Sequence, residues 1–321
     1  MNPLLYYLAV NDIPGLGPKT VRALLQRYGD MPTLFQAPEE ELRQFPRVTE
    51  DIAARIHQAG ETLERYEQML VEMEEQGVGL TCWEDPAYPP LLRQIEDAPL
   101  LLYLRGQWQE ADNQAVALVG SREASAAGYD LAAQLAAAFA GWGLTVVSGF
   151  ARGIDTAAHR GALEGGGRTI AVFGTGIDRL HPPSNRELAE RIVQQRQGVL
   201  LTEFPPGTTA QGRTLMARDR IISGLSRAVI VVEAGLKSGS MDTADRALKQ
   251  RRLLYAIDWS GTPVSSEGTA WLIRNHAQPL PPQWKDIDFE ALVSAILQGP
   301  APAPSEDPRC LPENPQLTLF P

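Results

Sequence analysis

The chain has 321 residues, 44% of them hydrophobic and 21% charged, and a formal net charge of -10. This composition indicates a globular protein of about two domains, at roughly 100–200 residues per domain. Only two cysteines occur, Cys82 and Cys310, far apart and without metal-ligand spacing, so neither a disulfide framework nor a zinc site is supported. Neither a membrane-length apolar run nor a signal-peptide pattern is found, and we expect a protein of the reducing cytoplasm with no membrane contact and no bound metal.

The negative charge argues against a nucleic-acid partner, but it is unevenly placed along the sequence. Glutamates concentrate between residues 61 and 75, and further carboxylates lie beyond residue 285. Arginines crowd instead between residues 213 and 227. A local basic pocket is therefore compatible with the acidic total.

Residues 1–76 predict a small helical domain. The segment from Ile13 to Val21 places Gly15 and Gly17 in a tight turn between two apolar-periodic stretches, the pattern of a helix-hairpin-helix or SAM-like domain. Such a turn can offer backbone amides to a DNA phosphate without reading sequence. The alternative is a bundle that only packs against protein, and Lys19 is the only basic residue beside the turn.

Residues 77–282 predict an α/β domain with a mostly parallel sheet. Short aliphatic runs without polar alternation indicate strands buried on both faces, and helical stretches separate most of them. The runs are 115–119, 144–147, 169–173, 199–202, 228–232 and 253–257. Ligands bind such sheets outside the carboxyl ends of the strands.

The turns after these runs are rich in glycine, serine and arginine. Glycine lets the backbone approach a ligand, and the next helix presents free amides and the positive end of its dipole. A series of such turns along one sheet edge favours the binding of a multiply charged anion such as phosphate. The residues that we expect to bind it are Gly120, Ser121, Arg122, Ser148, Gly149, Phe150, Arg152, Gly174, Thr175, Gly176, Arg218, Arg220, Ser238, Gly239 and Ser240.

Six motifs in one order carry a family resemblance. They are Val119-Gly120-Ser121-Arg122; Ser148 to Asp155 with His159; Gly174 to Asp178 with Pro182 and Asn185; Glu203 to Gly207; Arg218 to Ser226; and Ser238-Gly239-Ser240. Together they resemble the DprA (Smf) family of DNA-processing proteins over about residues 77–282. The resemblance implies an extended Rossmann-like domain that binds single-stranded DNA, forms a homodimer and loads RecA during natural transformation or a related recombination pathway. It implies no enzyme activity and no cofactor.

The resemblance assigns phosphate contacts to four arginines of this chain. Arg122 matches the arginine of the family's Gly-Ser-Arg turn, and Arg152 that of its Ala-Arg-Gly-Ile-Asp turn. Arg218 and Arg220 match the two arginines of its Arg-Asn-Arg segment. A guanidinium grips phosphate with two hydrogen bonds and stacks on bases, which suits this role. The alternative for Arg122 and Arg152 is an internal salt bridge to Asp155 or Glu233.

Several positions depart from the family pattern. Phe150 replaces the second of two glycines and would either stack on a base or crowd the pocket. Asp219 replaces an asparagine between the paired arginines, and its carboxylate would repel a phosphate. Leu215-Met216 stands in place of Phe-Pro. These changes predict weaker binding or another ligand.

Catalysis finds little support in the sequence. Asp155 and His159 are four residues apart, as an acid–base pair on a helix would be, but without a third partner they more simply hold the turn together. The alternative function is a nucleotide sensor or a phosphoribohydrolase-like enzyme on a related fold. The Pro-Gly-Gly-x-Gly-Thr segment of those enzymes is not found here.

Residues 283–321 predict one short helix and then a proline-rich, flexible tail, with no room for a further winged-helix domain. The last six residues resemble the peptide by which bacterial replication and repair proteins dock on the sliding clamp. Its contacts would come from Gln316, Leu317, Leu319 and Phe320. The alternative is a tail that folds back onto its own domain.

Overall fold

The structure is a computed structural model that describes residues 2–264 and 266–299. Its contacts divide the chain into two compact units. The first comprises residues 1–88 and 96–105, and the second comprises 89–95 and the chain from 106 onward. The clamp-like peptide, with Gln316, Leu317, Leu319 and Phe320, lies outside the described residues.

The first unit is helical with one pair of antiparallel strands. The turn between its first two helices holds Gly15 at φ 85°, a conformation that glycine adopts without strain. Gly17 precedes the second helix, whose buried face includes Val21 and Leu24. The elements are α1 (Pro3–Asn11), α2 (Pro18–Tyr28), α3 (Met31–Gln36), α4 (Glu39–Leu42), α5 (Glu50–Glu61), α6 (Glu64–Glu75) and the antiparallel strands β1 (Gly79–Cys82) and β2 (Leu101–Gly106).

Almost all of the protein's net negative charge belongs to the first unit. It contains 17 aspartates and glutamates against 8 lysines and arginines, which gives -9 of the total of -10. The glutamates of α6 are exposed, and Tyr66 and Met73 form its buried face. The second unit is therefore close to neutral.

The second unit contains seven parallel strands in the order β6-β5-β4-β3-β7-β8-β9. The six strands that the aliphatic runs predict are confirmed, and so is the α/β class. The seventh strand was not predicted, because its three residues include Pro279 and form no aliphatic run. The strands are β3 (Ala115–Val119), β4 (Thr145–Ser148), β5 (Thr169–Val172), β6 (Gly198–Thr202), β7 (Ala228–Val231), β8 (Leu253–Ile257) and β9 (Gln278–Leu280).

Helices cover the strands and bury them almost completely. Val116 and Leu118 of β3 belong to a core that also includes Phe139 and Ile154 from the helices. None of the described helices is long and apolar enough to span a membrane. The helices of this unit are α7 (Pro90–Arg93), α8 (Ala126–Gly141), α9 (Ile154–Glu164), α10 (Arg186–Gln194), α11 (Gly212–Gly224), α12 (Gly239–Lys249), α13 (Glu267–Asn275) and α14 (Phe289–Gln298).

Helices α8 and α9 approach closely because small residues face each other. A Cβ placed on Gly161 would lie 2.1 Å from the Ala133 carbonyl oxygen, and one on Gly165 would lie 2.7 Å from that of Ala137. Both obstacles are backbone atoms, which cannot turn aside as a flexible side chain would. The carboxyl half of α9 is thereby held against α8, and its amino end borders the site described below.

We therefore expect Gly161→Ala to destabilise the protein by about 1–3 kcal/mol, the usual cost of overpacking a core. Gly141→Ala is the matched control, because a Cβ there meets no atom within 4 Å. It should stay within about 1 kcal/mol of the parent, since alanine is the better helix former. Urea unfolding followed by circular dichroism measures both, and equal stability of the two variants would contradict the close packing.

Candidate functional site

A cavity of about 980 Å³ lies at the carboxyl ends of the parallel strands. The turn after β3 contributes Gly120, Ser121 and Arg122, and the turn after β4 contributes Arg152. Helices α11 and α12 supply most of the remaining walls, and Asp155 of α9 also lines the cavity. This is the sheet edge that the sequence predicts for the ligand.

A second cavity of about 330 Å³ adjoins the first. Arg122, Arg152 and Arg218 line both, and the smaller one also contains Gly149 and the segment 181–184. Because the two share these residues, they form one groove, which we call the strand-end groove. A ligand longer than one nucleotide fits such a shape better than it fits a closed pocket.

Arg122 and Arg152 are exposed arginines that line both cavities of the strand-end groove. Within the described residues no ion pair joins either guanidinium to a carboxylate. The carboxylate of Glu233 instead accepts hydrogen bonds from the backbone and the hydroxyl of Ser125, the latter at 2.8 Å. The internal brace considered for the two arginines is thus not formed as an ion pair to Glu233 or Asp155, although Arg122 is near enough to Asp155 to oppose the rise that burial causes in the pKa of that carboxyl.

Arg218 lies in the wall of the groove but is only 5% exposed, which corrects the expectation of a free phosphate-binding side chain. Its Nε lies 3.0 Å from Oδ1 of Asp219 and donates to the Leu215 carbonyl at 3.1 Å. A Cβ on Gly149 would lie 1.4 Å from Nη1 of Arg218. Gly149 therefore makes room for this guanidinium, where the sequence suggested room for a phosphate.

Arg220 also requires correction, because it points away from the groove and lines neither cavity. It is 7% exposed and forms a two-pronged ion pair with Glu203, whose Oε2 accepts from Nη2 at 2.6 Å. Residues two apart on a helix point in different directions, so Arg218 and Arg220 do not face the same space. Asp219 pairs with the first and Glu203 with the second.

Five other expected residues lie outside the groove lining. Ser148 is fully buried and donates to the Leu118 carbonyl, while Thr175 is 2% exposed and donates to the backbone carbonyl of Arg179. Gly174 packs so tightly that a Cβ would lie 2.9 Å from the Leu215 Cα. Gly176, the last residue of that turn, is buried as well.

Phe150 is the fifth of these residues and cannot stack on a base in this structure. Its ring is fully buried, with its centroid 5.0 Å from that of Phe173 and 5.6 Å from that of His159. Its backbone has φ 64°, which is rare for a residue with a side chain. Packing of the ring beneath the groove holds this conformation.

The amino end of α12 forms a wall of the groove, has no side-chain cap and carries Asp242 in its first turn. Ser238, Gly239 and Ser240 all line it, and the Ser238 side chain bonds the Ser240 hydroxyl at 2.7 Å without capping the helix. Free amides and the helix dipole favour an anion here. These three residues lie where the sequence predicts them.

Carboxylates form the inner part of the larger cavity. Asp219, Asp242 and Asp245 line it along α11 and α12, and Asp155 lines it from α9. Burial raises the pKa of Asp219 to about 7, against the opposing effect of Arg218 and with further elevation from Asp242 and Asp155. Burial also raises the pKa values of Asp155 and Asp242.

His159 takes no part in the groove. It is fully buried, its Nδ1 lies 2.6 Å from the Thr169 hydroxyl, and burial lowers its pKa to about 3. The ring is therefore neutral at physiological pH and out of reach of a ligand, so it forms no acid–base pair with Asp155. Within residues 2–264 and 266–299, no cluster of side chains suits a metal ion.

Three further cations, Lys237, Arg246 and Lys249, line the cavity and were not predicted as site residues. The sequence could have indicated two of them, Arg246 and Lys249. With Asp242 and Asp245 they recur at helical spacing, which places all four on one face of α12. Without the fold, that face is equally typical of a solvated helix surface.

The helical unit shows weaker features of a phosphate site. Lys19, the basic residue beside the glycine turn, is ion-paired with Glu96 of the same unit. Carboxylates outnumber cations about twofold around it. The cationic features that a polyanion needs are gathered in the second unit.

Comparisons with known proteins agree with this architecture. Residues 79–289 match the family described as DNA recombination-mediator protein A, and residues 7–59 match the SAM-like helix-hairpin-helix tandem. Protein Smf of Synechocystis is 34% identical over 85% of this chain and 69% of its own length.

Two solved structures are also similar. The X-ray structure of DprA from Streptococcus pneumoniae superposes with a TM-score of 0.70 at 30% identity, covering 87% of this chain and 94% of that one. DprA from Helicobacter pylori, solved to explain its single-stranded DNA binding mode, gives a TM-score of 0.59 at 26% identity over 68% of this chain and 95% of that one. By its sequence, its order of motifs and its fold, the chain belongs to the DprA (Smf) family of DNA-processing proteins, the DNA recombination mediators.

Proposed function

We propose that this chain binds single-stranded DNA along the strand-end groove. The observation that carries the proposal is the pair Arg122 and Arg152, which are exposed, free of carboxylate partners among the described residues, and shared by both cavities. A strand crossing these two side chains would occupy both cavities at once. The DprA of Helicobacter pylori, a relative, binds single-stranded DNA.

The binding mechanism that we infer is non-catalytic. Phosphates would lie on Arg122, Arg152 and the amino end of α12, where guanidiniums and free amides supply charge-assisted hydrogen bonds. The acidic total charge does not oppose this, because -9 of it belongs to the helical unit. The near-neutral second unit therefore presents its local cations without a strong opposing field.

We extend the proposal to the cellular role that the family resemblance implies. As a homodimer in the cytoplasm, the chain would present the bound strand to RecA, in natural transformation or a related recombination pathway. Only family membership supports this part. DNA binding can be tested independently of it.

The affinity of the protein for oligo-dT should fall linearly with salt on a log-log plot. Arg122→Ala and Arg152→Ala should each weaken binding and lower the slope by about one unit, because each removes one phosphate contact. Fluorescence anisotropy between 50 and 200 mM salt, roughly the range over which such contacts are lost, measures this.

Two control variants distinguish groove contacts from general charge. Arg274→Ala removes an exposed arginine outside the groove lining and should leave the slope unchanged. Arg220→Ala should also keep the slope but lose about 3–5 kcal/mol of stability, because Glu203 is left buried without its partner. Slopes that change equally in all four variants would contradict the proposed path.

The affinity for oligo-dT should rise about fivefold, on the order of 1 kcal/mol, as the pH falls from 8 to 6. Asp219, whose pKa is about 7, becomes protonated in this range, and one negative charge leaves the groove wall. Arg218, Asp155, Asp242 and Arg246 are the charged groups that act on it. Asp219→Asn should bind more tightly at pH 8 and flatten the profile, while Asp130→Asn, an exposed control on α8, should match the parent. An unaltered pH profile in Asp219→Asn would exclude Asp219 as the titrating group.

We also propose that the final peptide docks on the replication sliding clamp, with Gln316, Leu317, Leu319 and Phe320 as its contacts. A labelled peptide of residues 316–321 should bind purified clamp, and one with Leu319→Ala and Phe320→Ala should not. The same double substitution in the full chain should abolish clamp binding while leaving DNA binding intact. Equal clamp binding by both peptides, or by neither, would remove this proposal.

A further inference from the structure

The turn that carries Arg152 has an unusual backbone. Phe150, two residues before the arginine, has φ 64°, and Gly153, directly after it, has φ 75°. Glycine adopts such angles freely, but a residue with a Cβ does so only where surrounding contacts hold it there. The contacts that hold this turn therefore decide where the Arg152 guanidinium lies.

Three buried side chains supply such contacts, and all of them bond the main chain directly before the arginine. Nδ2 of Asn185 donates to the Phe150 carbonyl at 3.1 Å. The Thr156 hydroxyl donates to the Ala151 carbonyl at 2.7 Å, and the Ala151 amide donates to Oδ2 of Asp155 at 3.2 Å. Both peptide groups of Ala151 are thus fixed by side chains.

Asn185 and Thr156 also bond each other. Nδ2 of Asn185 donates to the Thr156 hydroxyl at 2.9 Å, so this hydroxyl accepts on one side and donates to the turn on the other. The two residues are 5% and 7% exposed, and neither is among the described residues that line the two cavities. A ligand in the strand-end groove would therefore contact Arg152 and not the two side chains behind it.

The Arg152 turn is also docked against the Arg122 turn. The Ile154 amide donates to the Ser121 carbonyl at 3.1 Å. A Cβ on Gly153 would lie 2.2 Å from the same carbonyl oxygen and 2.8 Å from that of Arg122, so only glycine fits between the turns. Contacts that fix the first turn consequently fix its position relative to the second.

We propose that Asn185 and Thr156 are positioning residues that hold Arg152 in place for a phosphate before the ligand arrives. The inference rests on the proposed function for the role of Arg152, and it adds two residues that raise the affinity without touching DNA. An arginine on a loose turn keeps its charge but must be ordered on binding, and that ordering lowers the affinity. Asp155 holds the same turn, but its replacement would also change the charge of the cavity.

Four variants test the role of the two side chains. Thr156→Val removes the hydroxyl at nearly constant volume, Thr156→Ser retains it, and Asn185→Leu removes the amide donor without adding charge. Thr145→Val is the matched control, because it removes another buried threonine hydroxyl from the opposite end of β4. That hydroxyl bonds Oδ1 of Asp112, which keeps Arg168 as a second donor.

Fluorescence anisotropy should show that Thr156→Val and Asn185→Leu each bind oligo-dT about three- to tenfold more weakly than the parent, the effect of one lost hydrogen bond. Thr156→Ser and Thr145→Val should stay within about twofold of the parent. Because Arg152 keeps its charge, the salt slope should not change. In an Arg152→Ala background Thr156→Val should have no further effect, and in an Arg122→Ala background it should keep its full effect.

Hydrogen exchange of the free protein, read by mass spectrometry over peptides covering residues 149–154, reports on the turn without DNA. The Ala151 amide is bonded to Asp155 and the Ile154 amide to Ser121. Exchange there should be at least about fivefold faster in Thr156→Val and in Asn185→Leu than in the parent. Thr145→Val, which leaves the turn intact, should exchange like the parent.

Unchanged affinity in Thr156→Val and Asn185→Leu, or an equal loss in Thr145→Val, would overturn the positioning role and leave single-stranded DNA binding in place. So would a loss from Thr156→Val that persists in the Arg152→Ala background. Failure of the parent to bind any strand would overturn the proposed function instead. Faster exchange in Thr156→Val and Asn185→Leu would then keep the two residues as the support of this turn for another anion, and unchanged exchange would overturn both.

Discussion

The strand-end groove depends on one buried cation, the guanidinium of Arg218. It fills the space left by the missing side chain of Gly149 and bonds the carbonyls of Leu215 and Val172. A buried charge is stable only with partners close by, and Asp219 at 3.0 Å supplies one. Burial raises the pKa of Asp155 and lowers that of His159, and Arg218 opposes the first shift and adds to the second.

This buried cation explains why arginines of similar appearance have different roles. Arg218 and Arg220 are part of α11, whose packing against the sheet draws both side chains inward to carboxylates and carbonyls. Arg122 and Arg152 follow strands, in turns that lie above the sheet edge, and their side chains extend into solvent. The helix arginines thus stabilise the groove, and the turn arginines are left to neutralise a ligand.

The fold was predictable to a large extent because its signals are local. Aliphatic runs such as Ala115–Val119 are buried on both faces and need no knowledge of their neighbours to be recognised. The groove was predictable only in part. Gly120, Arg122 and Ser238 lie where strand-end turns must lie, but Phe150 and Arg220 have directions set by tertiary packing. A sequence shows that an arginine is present near a sheet edge, and only the fold shows whether a carboxylate neutralises it.

The acidic lining of α12 illustrates the same limit. In sequence, Asp242, Asp245 and Lys249 are typical of a solvated helix face with i,i+4 pairs. In the structure the same residues line a cavity whose rim carries Arg122 and Arg152. A groove built only for affinity would place cations along its full length, because phosphate contacts supply most non-specific binding. Carboxylates reduce that affinity, so a phosphate is favoured at the cationic rim and disfavoured along the acidic face of α12.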